Sequence, residues 1–129
     1  LSALEWLVNN LNAEGSIHYE LIADGDERKL SPKTELLIYR IVQEALNNVK
    51  KHSKAKKAII HVVFTKKSIG VVIEDNGVGF PVDVTRKQLA FNGKMGLLDM
   101  QERAVSLEGK LKLQSRINGG TTVSLTVNV

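Results

Sequence analysis

Hydrophobic periodicity predicts three helices. Within residues 1–12, apolar side chains recur at intervals of three and four, with Trp6 off the stripe, as expected for an amphipathic helix. A second helix is predicted from about residue 32 to His52, because Ser31 is a typical N-cap residue and Pro32 suits the first helical position. A third is expected from residue 97 to near Gly109. The predicted core face of the second helix consists of Leu37, Ile41, Ala45, Leu46 and Val49.

Alternating and β-rich segments predict five strands. Residues 17–22 alternate and form the first, while residues 58–64 and 69–74 flank a four-residue polar turn and form a hairpin. Residues 110–114 and 121–129 also alternate, and the turn between them contains the sequence Asn-Gly-Gly at 118–120. Because the chain has no internal repeat and no low-complexity tract, a single domain covering residues 1–129 is expected. Its start directly in a helix suggests a fragment of a longer protein.

The third predicted strand ends abruptly in the sequence Asp-Asn-Gly-Val-Gly-Phe at residues 75–80. Gly77 and Gly79 would let the backbone turn sharply and approach a ligand, and Asp75 lies at a strand end, where α/β sheets often bind ligands. The alternative is a type I′ hairpin turn, for which Asn-Gly is a strong signal. The alternating strand that should follow such a turn is missing from residues 82–92. Residues 81–94 instead have no clear period, and a loop of this length is often a lid over a site.

One face of the second predicted helix is polar. Arg40, Glu44, Asn47, Asn48 and Lys51 gather there by their spacing of three and four. Such a stripe is most often a solvated surface. Two adjacent asparagines, however, are poor choices for a helix interior, so a functional face remains open.

Composition and charge narrow the function classes. The chain has 129 residues, 43% hydrophobic and 25% charged, which is typical of a folded domain. The absence of cysteine excludes disulfides and thiolate metal sites. The net charge of +4 comes largely from clustered lysines, and these could bind nucleic acid or form a basic rim around a small anion. Aromatic residues make up only 5% and do not alternate with the lysines, which disfavours a stacking platform for nucleic acid. The lysines are Lys50, Lys51, Lys54, Lys56, Lys57, Lys66 and Lys67.

Four segments together resemble the N, G1, G2 and G3 boxes of the GHKL ATPase superfamily: residues 44–52, 75–80, 93–103 and 119–121. The sequence Gln-Glu-Ala-Leu-Asn-Asn at 43–48 and the pattern Gly-Leu-x-x-Met-x-Glu-Arg at 96–103 are similar to sensor histidine kinases of the NarX, DegS and DesK group. The resemblance covers essentially the whole chain. It implies the Bergerat ATP-binding fold, a two-layer α/β sandwich with one mixed sheet and three helices on one face. No P-loop motif is present.

The resemblance also implies a site for ATP and Mg²⁺. Asn48 is the expected Mg²⁺ ligand, and Glu44, one helical turn earlier, would assist phosphoryl transfer or orient a metal-bound water. Lys51 would hold phosphate oxygens and contribute to catalysis with these two residues. Asp75 would accept a hydrogen bond from the adenine amino group, and Thr121 would support that contact, often through water. The implied nucleotide-binding residues are Asn48, Lys51, His52, Asp75, Gly77, Gly79, Phe80, Gly93, Lys94, Met95, Gly96, Leu97 and Thr121, with Lys94 standing where many relatives carry histidine.

The implied function is that of the ATP-binding catalytic domain of a two-component sensor histidine kinase. The γ-phosphoryl group would go to a histidine on an upstream dimerisation helix and then to the aspartate of a response regulator. His18, His52 and His61 do not lie in that helical setting, so the fragment is expected to bind ATP without autophosphorylating. A homodimeric full-length protein, a monomeric fragment and a cytoplasmic domain of a protein anchored in the membrane are also implied. Two alternatives are an anti-sigma-factor-type serine kinase and a non-enzymatic basic module that binds nucleic acid.

Overall fold

The computed structural model describes residues 1–78, 97–116 and 118–128. These residues form three α-helices and five strands, with one π-helical turn directly after the second helix. The helices are α1 (Ser2–Ala13), α2 (Pro32–Asn48) and α3 (Leu97–Ser106), and the π turn is Val49–Ser53. The strands are β1 (His18–Asp24), β2 (Lys57–Phe64), β3 (Ser68–Asp75), β4 (Lys110–Ser115) and β5 (Thr121–Asn128).

The five strands form one mixed sheet in the order β1-β2-β3-β5-β4. Strand β1 runs parallel to β2, and all other neighbours are antiparallel. The predicted hairpin of β2 and β3 is therefore confirmed. The long connection from β1 to β2 contains α2, as a parallel pair requires a crossover.

All three helices cover the same face of the sheet. Along β2 and β3 every second side chain is buried, which gives the sheet one apolar face and one open face. The helices contribute Leu4, Ile41 and Met100, among others, to the core that this face forms. The two-layer α/β sandwich with a mixed sheet is thus confirmed. The largest fully buried side chains are Ile41, Leu46, Ile60, Ile73, Met100, Leu125, Val42, Val62 and Val71.

Helix α2 begins as its sequence predicts. Ser31 is the N-cap, and its hydroxyl accepts a hydrogen bond from the backbone N–H of Thr34 at 3.2 Å. The predicted core position Leu37 is wrong, since it is only half-buried while Ile38 is 5% exposed. The stripe that faces the sheet passes through Ile38, Ile41 and Ala45, at helical spacing, and Leu37 lies on its edge.

Several element ends differ from the sequence-based expectations. The second helix stops being α-helical at Asn48 and continues as the π turn, which ends at Lys54 in the left-handed conformation with φ of 53°. Strand β1 extends to Asp24, because its pairing with β2 continues beyond the alternating segment. Helix α3 ends at Ser106 rather than near Gly109, and Glu108 takes the left-handed position with φ of 55°.

Candidate functional site

A row of side chains crosses the sheet at one end. The strand register aligns Ala58 with Asp75, Asp75 with Thr121 and Thr121 with Ser115. Two residues before Asp75 in β3, Ile73 belongs to the core, so the row lies on the helix-covered face. The apolar core therefore ends in a polar row at this edge.

Asp75 is the most unusual residue of the row. Its side chain is 8% exposed, and it is the one buried charged or polar residue in the part of the chain that the structure describes. Its Oδ1 accepts a hydrogen bond from the backbone N–H of Gly77 at 2.8 Å. Burial raises the pKa of this carboxyl, the backbone N–H groups of Gly77 and Thr121 lower it, and the charge of Glu74 raises it further. The balance is a raised pKa, so the ionised carboxylate is held at a cost in free energy.

Thr121 faces Asp75 from the neighbouring strand. Its hydroxyl lies 2.8 Å from that of Ser115, whose Oγ also donates to the carbonyl of Gly120 at 3.2 Å. Ser115 was missed by the sequence analysis, because only the register of β4 with β5 brings it beside Thr121. The hydroxyl pair holds the first residue of β5 next to the carboxylate.

The turn between β4 and β5 packs closely against the end of β3. Gly120 has φ of 76°, and a Cβ added there would lie 2.2 Å from the carbonyl oxygen of Asp75. This approach requires glycine for both the backbone angle and the space. The predicted turn at 118–120 is therefore part of the wall beside Asp75.

The C-terminal end of α2 lies at the same end of the sheet as Asp75. Strand β2 starts at Lys57, soon after the π turn, and the next residue, Ala58, pairs with Asp75. Glu44 and Asn48 are both half-buried and lie one turn apart near this end of the helix. Lys51 is exposed in the π turn. His52 lies in the same turn, and the position of its side chain is outside what the structure describes.

The remaining predicted site residues belong to the connection before α3. The predicted lid at 81–94 lies outside the described residues, and so do Gly79, Phe80, Gly93, Lys94, Met95 and Gly96. Leu97 is the first residue of α3. Because α3 ends next to the start of β4, which pairs with Thr126 far from Asp75, the helix points its N-terminus toward the Asp75 end.

The site contains oxygen donors suited to a hard cation. Among residues 1–78, 97–116 and 118–128, no group of three or more His, Cys, Asp or Glu side chains could hold a metal by itself. Glu44 and Asn48 offer a carboxylate and an amide oxygen on one helix face. Such a pair fits Mg²⁺, which usually keeps several waters and takes further oxygens from substrate phosphates.

Residues 33–129 match the family model described as "Histidine kinase-, DNA gyrase B-, and HSP90-like ATPase". This range includes α2 apart from its first residue, the π turn and the whole Asp75 row. The chain belongs to this family. The ATPase family membership leaves the basic nucleic-acid module without support, and nothing favours the anti-sigma-factor-type kinase.

The chain is homologous to part of several sensor kinases. It is 34% identical over 116 residues to the signal transduction histidine-protein kinase/phosphatase DegS of Bacillus subtilis, covering 90% of this chain and 30% of DegS. It is 33% identical over 89 residues to the nitrate/nitrite sensor protein NarX of Escherichia coli, covering 69% of this chain and 14% of NarX. The chain is therefore a histidine kinase-type ATPase domain that spans less than a third of these relatives.

Solved structures support the same fold. Acinetobacter baumannii histidine kinase AdeS superposes with a TM-score of 0.77 at 15% identity, over 98% of this chain and 63% of AdeS. The histidine kinase domain of Erythrobacter litoralis EL346 gives a TM-score of 0.71 at 21% identity, over 94% of this chain and 55% of that domain. No helix in the part of the chain that the structure describes is long and apolar enough to cross a membrane.

Proposed function

We propose that this domain binds ATP with Mg²⁺ and presents the γ-phosphoryl group to a histidine elsewhere in a longer sensor kinase. The observation that carries the proposal is the buried carboxylate of Asp75 at the end of β3, in a chain of the ATPase family. A buried, ionisable side chain at a strand end is costly for folding and is therefore a candidate for ligand binding. The backbone N–H groups of Gly77 and Thr121 do not use all the lone pairs of this carboxylate, so it can still accept a hydrogen bond from a ligand.

Asp75 selects adenine by hydrogen-bond polarity. The adenine amino group donates to the carboxylate, whereas the carbonyl of guanine would face it as an unmatched acceptor. Thr121 assists this contact, and its hydroxyl is held in position by Ser115. The flat base lies beside the backbone of Gly77, a residue without a side chain of its own.

The phosphates lie toward the end of α2. Lys50 is engaged with Glu14 at 2.9 Å and Lys57 with Glu20 at 3.5 Å. Lys51, Lys54 and Lys56 are exposed and have no carboxylate partner within the described ranges, so their charges remain available to an anion. Together they form a basic rim beside the Asp75 row.

Asn48 and Glu44 hold the cation and the transferring group in this proposal. The amide oxygen of Asn48 is a Mg²⁺ ligand, and Glu44 assists the transfer or orients a metal-bound water, while Lys51 contacts phosphate. Bound Mg²⁺ would neutralise charge on the phosphates during transfer. The protein's own contribution is positioning and cationic stabilisation, which dominate phosphoryl transfer generally.

The partners follow from the same proposal. The phosphoacceptor is a histidine on a dimerisation helix of the longer protein, which is a homodimer, and the phosphoryl group then passes to the receiver domain of a response regulator. The domain works on the cytoplasmic side of the membrane. The support is the homology to DegS and NarX, whose names identify them as a signal transduction kinase and a sensor.

Thermal unfolding tests the nucleotide site. We expect ATP with Mg²⁺ at about a hundred times its dissociation constant to stabilise the domain by roughly 2.7 kcal/mol, a shift of several degrees in Tm. GTP at the same concentration should shift Tm much less.

Asp75→Asn should weaken ATP binding at least about tenfold, because the adenine amino group loses a charged acceptor.

Duplex DNA serves as the control ligand in the same measurement. Stabilisation by DNA but not by ATP with Mg²⁺ would overturn the proposal in favour of a basic binding module. A loss in Asp75→Asn no larger than about 0.5 kcal/mol, the size of an ordinary surface change, would remove the adenine role from Asp75.

A further inference from the structure

Asn76 links the end of β3 to the start of β2 through three hydrogen bonds. Its Oδ1 accepts from the backbone N–H groups of Lys56 and Lys57, each at 3.1 Å. Its own backbone N–H donates to the carbonyl of Lys57 at 3.3 Å. We call these three hydrogen bonds the clamp. Asn76 lies directly between Asp75 and Gly77, so the clamp lies within the segment that forms the proposed adenine contact.

The clamp closes the sheet where its ladder would otherwise fray. Ala58 and Asp75 are the last aligned pair of β2 and β3, and the register between these two strands ends there. Asp75 must nevertheless hold a buried carboxylate in a fixed direction, toward the N–H of Gly77. The bonds of Asn76 to the start of β2 fix the backbone between Asp75 and its partner Gly77.

The same clamp reaches the basic side of the site. Lys56 and Lys57 follow the π turn through Lys54, whose left-handed conformation redirects the chain, and Ala55, which is buried. Asn76 therefore joins the segment that contacts the base to the segment that carries the lysine rim. A change at residue 76 would move these two parts relative to each other.

We propose that Asn76 is a positioning residue for the nucleotide site, acting only through its side-chain oxygen. This inference rests on the proposed function, since it concerns how Asp75 and the basic rim are aligned for ATP. Both side-chain bonds use Oδ1 as acceptor, so the amide NH₂ group is not needed for them. Aspartate has the same shape and accepts hydrogen bonds at both oxygens, and it should therefore replace asparagine here.

The test compares Asn76→Ala with Asn76→Asp by calorimetric titration with ATP and Mg²⁺. We expect Asn76→Ala to weaken ATP binding roughly fivefold or more, and Asn76→Asp to remain within about twofold of the wild type. Titration at about 0.3 M salt screens the added negative charge from exposed groups farther away than the Debye length, which is then well under 10 Å. Asn76→Ser, whose shorter hydroxyl can still accept one bond, gives an intermediate value if Asn76→Ala does not fold.

Asn12→Ala in α1 is a matched control, because the Asn12 side chain is bonded to β1, the outer strand of the same sheet. The Asn12 side chain also makes two hydrogen bonds to backbone, donating to the carbonyl of Tyr19 at 2.9 Å and accepting from its N–H at 2.7 Å. The variant should lower the stability by an amount similar to Asn76→Ala while leaving ATP affinity within about twofold of the wild type. This separates positioning from general loss of stability.

The outcomes distinguish this inference from the proposed function. If the wild type binds ATP and Asp75→Asn does not, but Asn76→Ala binds like the wild type, the positioning role is wrong and the nucleotide site stands. An Asn76→Asp variant as weak as Asn76→Ala would assign the effect to the amide nitrogen instead, and would also overturn it. If the wild type itself does not bind ATP, both proposals fail together.

Discussion

At the scale of single residues, Asp75 shows how a buried ionisable group opposes folding. Its carboxylate is buried next to the apolar core, and two backbone N–H groups only partly offset the loss of water. The net result is a pKa above the usual range of aspartate. A side chain selected for stability alone would not be ionisable at this position.

We expect Asp75→Asn to raise the stability of the ligand-free domain at neutral pH. Because the folded state has the higher pKa, it binds more protons than the unfolded state, and stability falls as pH rises through the raised pKa. Asparagine avoids this cost and still offers an oxygen to the N–H of Gly77. Urea unfolding at a series of pH values should show the gain above the raised pKa and its loss as pH falls toward about 3.9.

The reverse result would be informative at the same residue. If Asp75→Asn were less stable than the wild type at neutral pH, the hydrogen bonds to the charged carboxylate would outweigh the cost of its burial. Glu74→Gln is the control variant for this measurement, since it removes a neighbouring charge from an exposed side chain and leaves the buried carboxyl of Asp75 intact.

At the scale of elements, the β4–β5 turn is fixed by backbone requirements. Gly15 and Gly120 have nearly equal φ values, 79° and 76°, but only Gly120 packs against another strand. The pair therefore separates the cost of a left-handed backbone from the cost of a steric clash.

Gly120→Ala should destabilise the domain more than Gly15→Ala. A Cβ at residue 15 meets nothing within 4 Å, so that variant pays only the left-handed strain of about 1–2 kcal/mol. At residue 120 the added carbon would lie 2.2 Å from the Asp75 carbonyl, and we expect at least about 1 kcal/mol more. Urea denaturation measures both free energies of unfolding, and equal losses would mean that the turn moves aside without cost.

The π turn is an element that the sequence does not predict. Lys50 and Lys51 are good α-helix formers, and nothing in their order indicates a wider turn. The turn comes directly after Asn48 and leads into the segment clamped by Asn76. Its place beside the proposed phosphate site agrees with the frequent occurrence of π-helical turns at functional sites.

At the scale of the whole molecule, the strand order brings together parts that are distant in sequence. Strand β5 lies between β3 and β4, so residue 121 reaches residue 75 while α3 is carried to the outer strand. The Asp75 row and the end of α2 then share one edge of the sandwich. His18 lies on β1, and His61 on β2 is paired with the carboxylate of Asp24.

We expect incubation with radiolabelled ATP and Mg²⁺ to give no stable phosphohistidine in this chain. His18 and His61 both lie on strands, and the latter is hydrogen-bonded to the carboxylate of Asp24. His52 lies in the π turn. Filter retention of labelled ATP under the same conditions provides the positive control for binding. Acid-labile, base-stable label on the protein, lost in His18→Gln, His52→Gln or His61→Gln, would show that the chain carries its own phosphoacceptor.

The sequence by itself determined the elements and indicated the family. Periodicity predicted all three helices and five strands, Ser31 and Pro32 fixed the start of α2, and four short segments indicated the ATPase family. These features are local: capping, alternation and turn chemistry depend on residues a few positions apart.

Only the tertiary structure decided which residues meet. The rotation of α2 places Ile38 rather than Leu37 in the core. The register of the strands pairs Ser115 with Thr121. The same register allows Asn76 to bond to Lys56 and Lys57. Register is a long-range property, and a shift of one residue would turn Asp75 from the core face to the open face. The burial that raises the pKa of Asp75 therefore has no signature in the sequence around it.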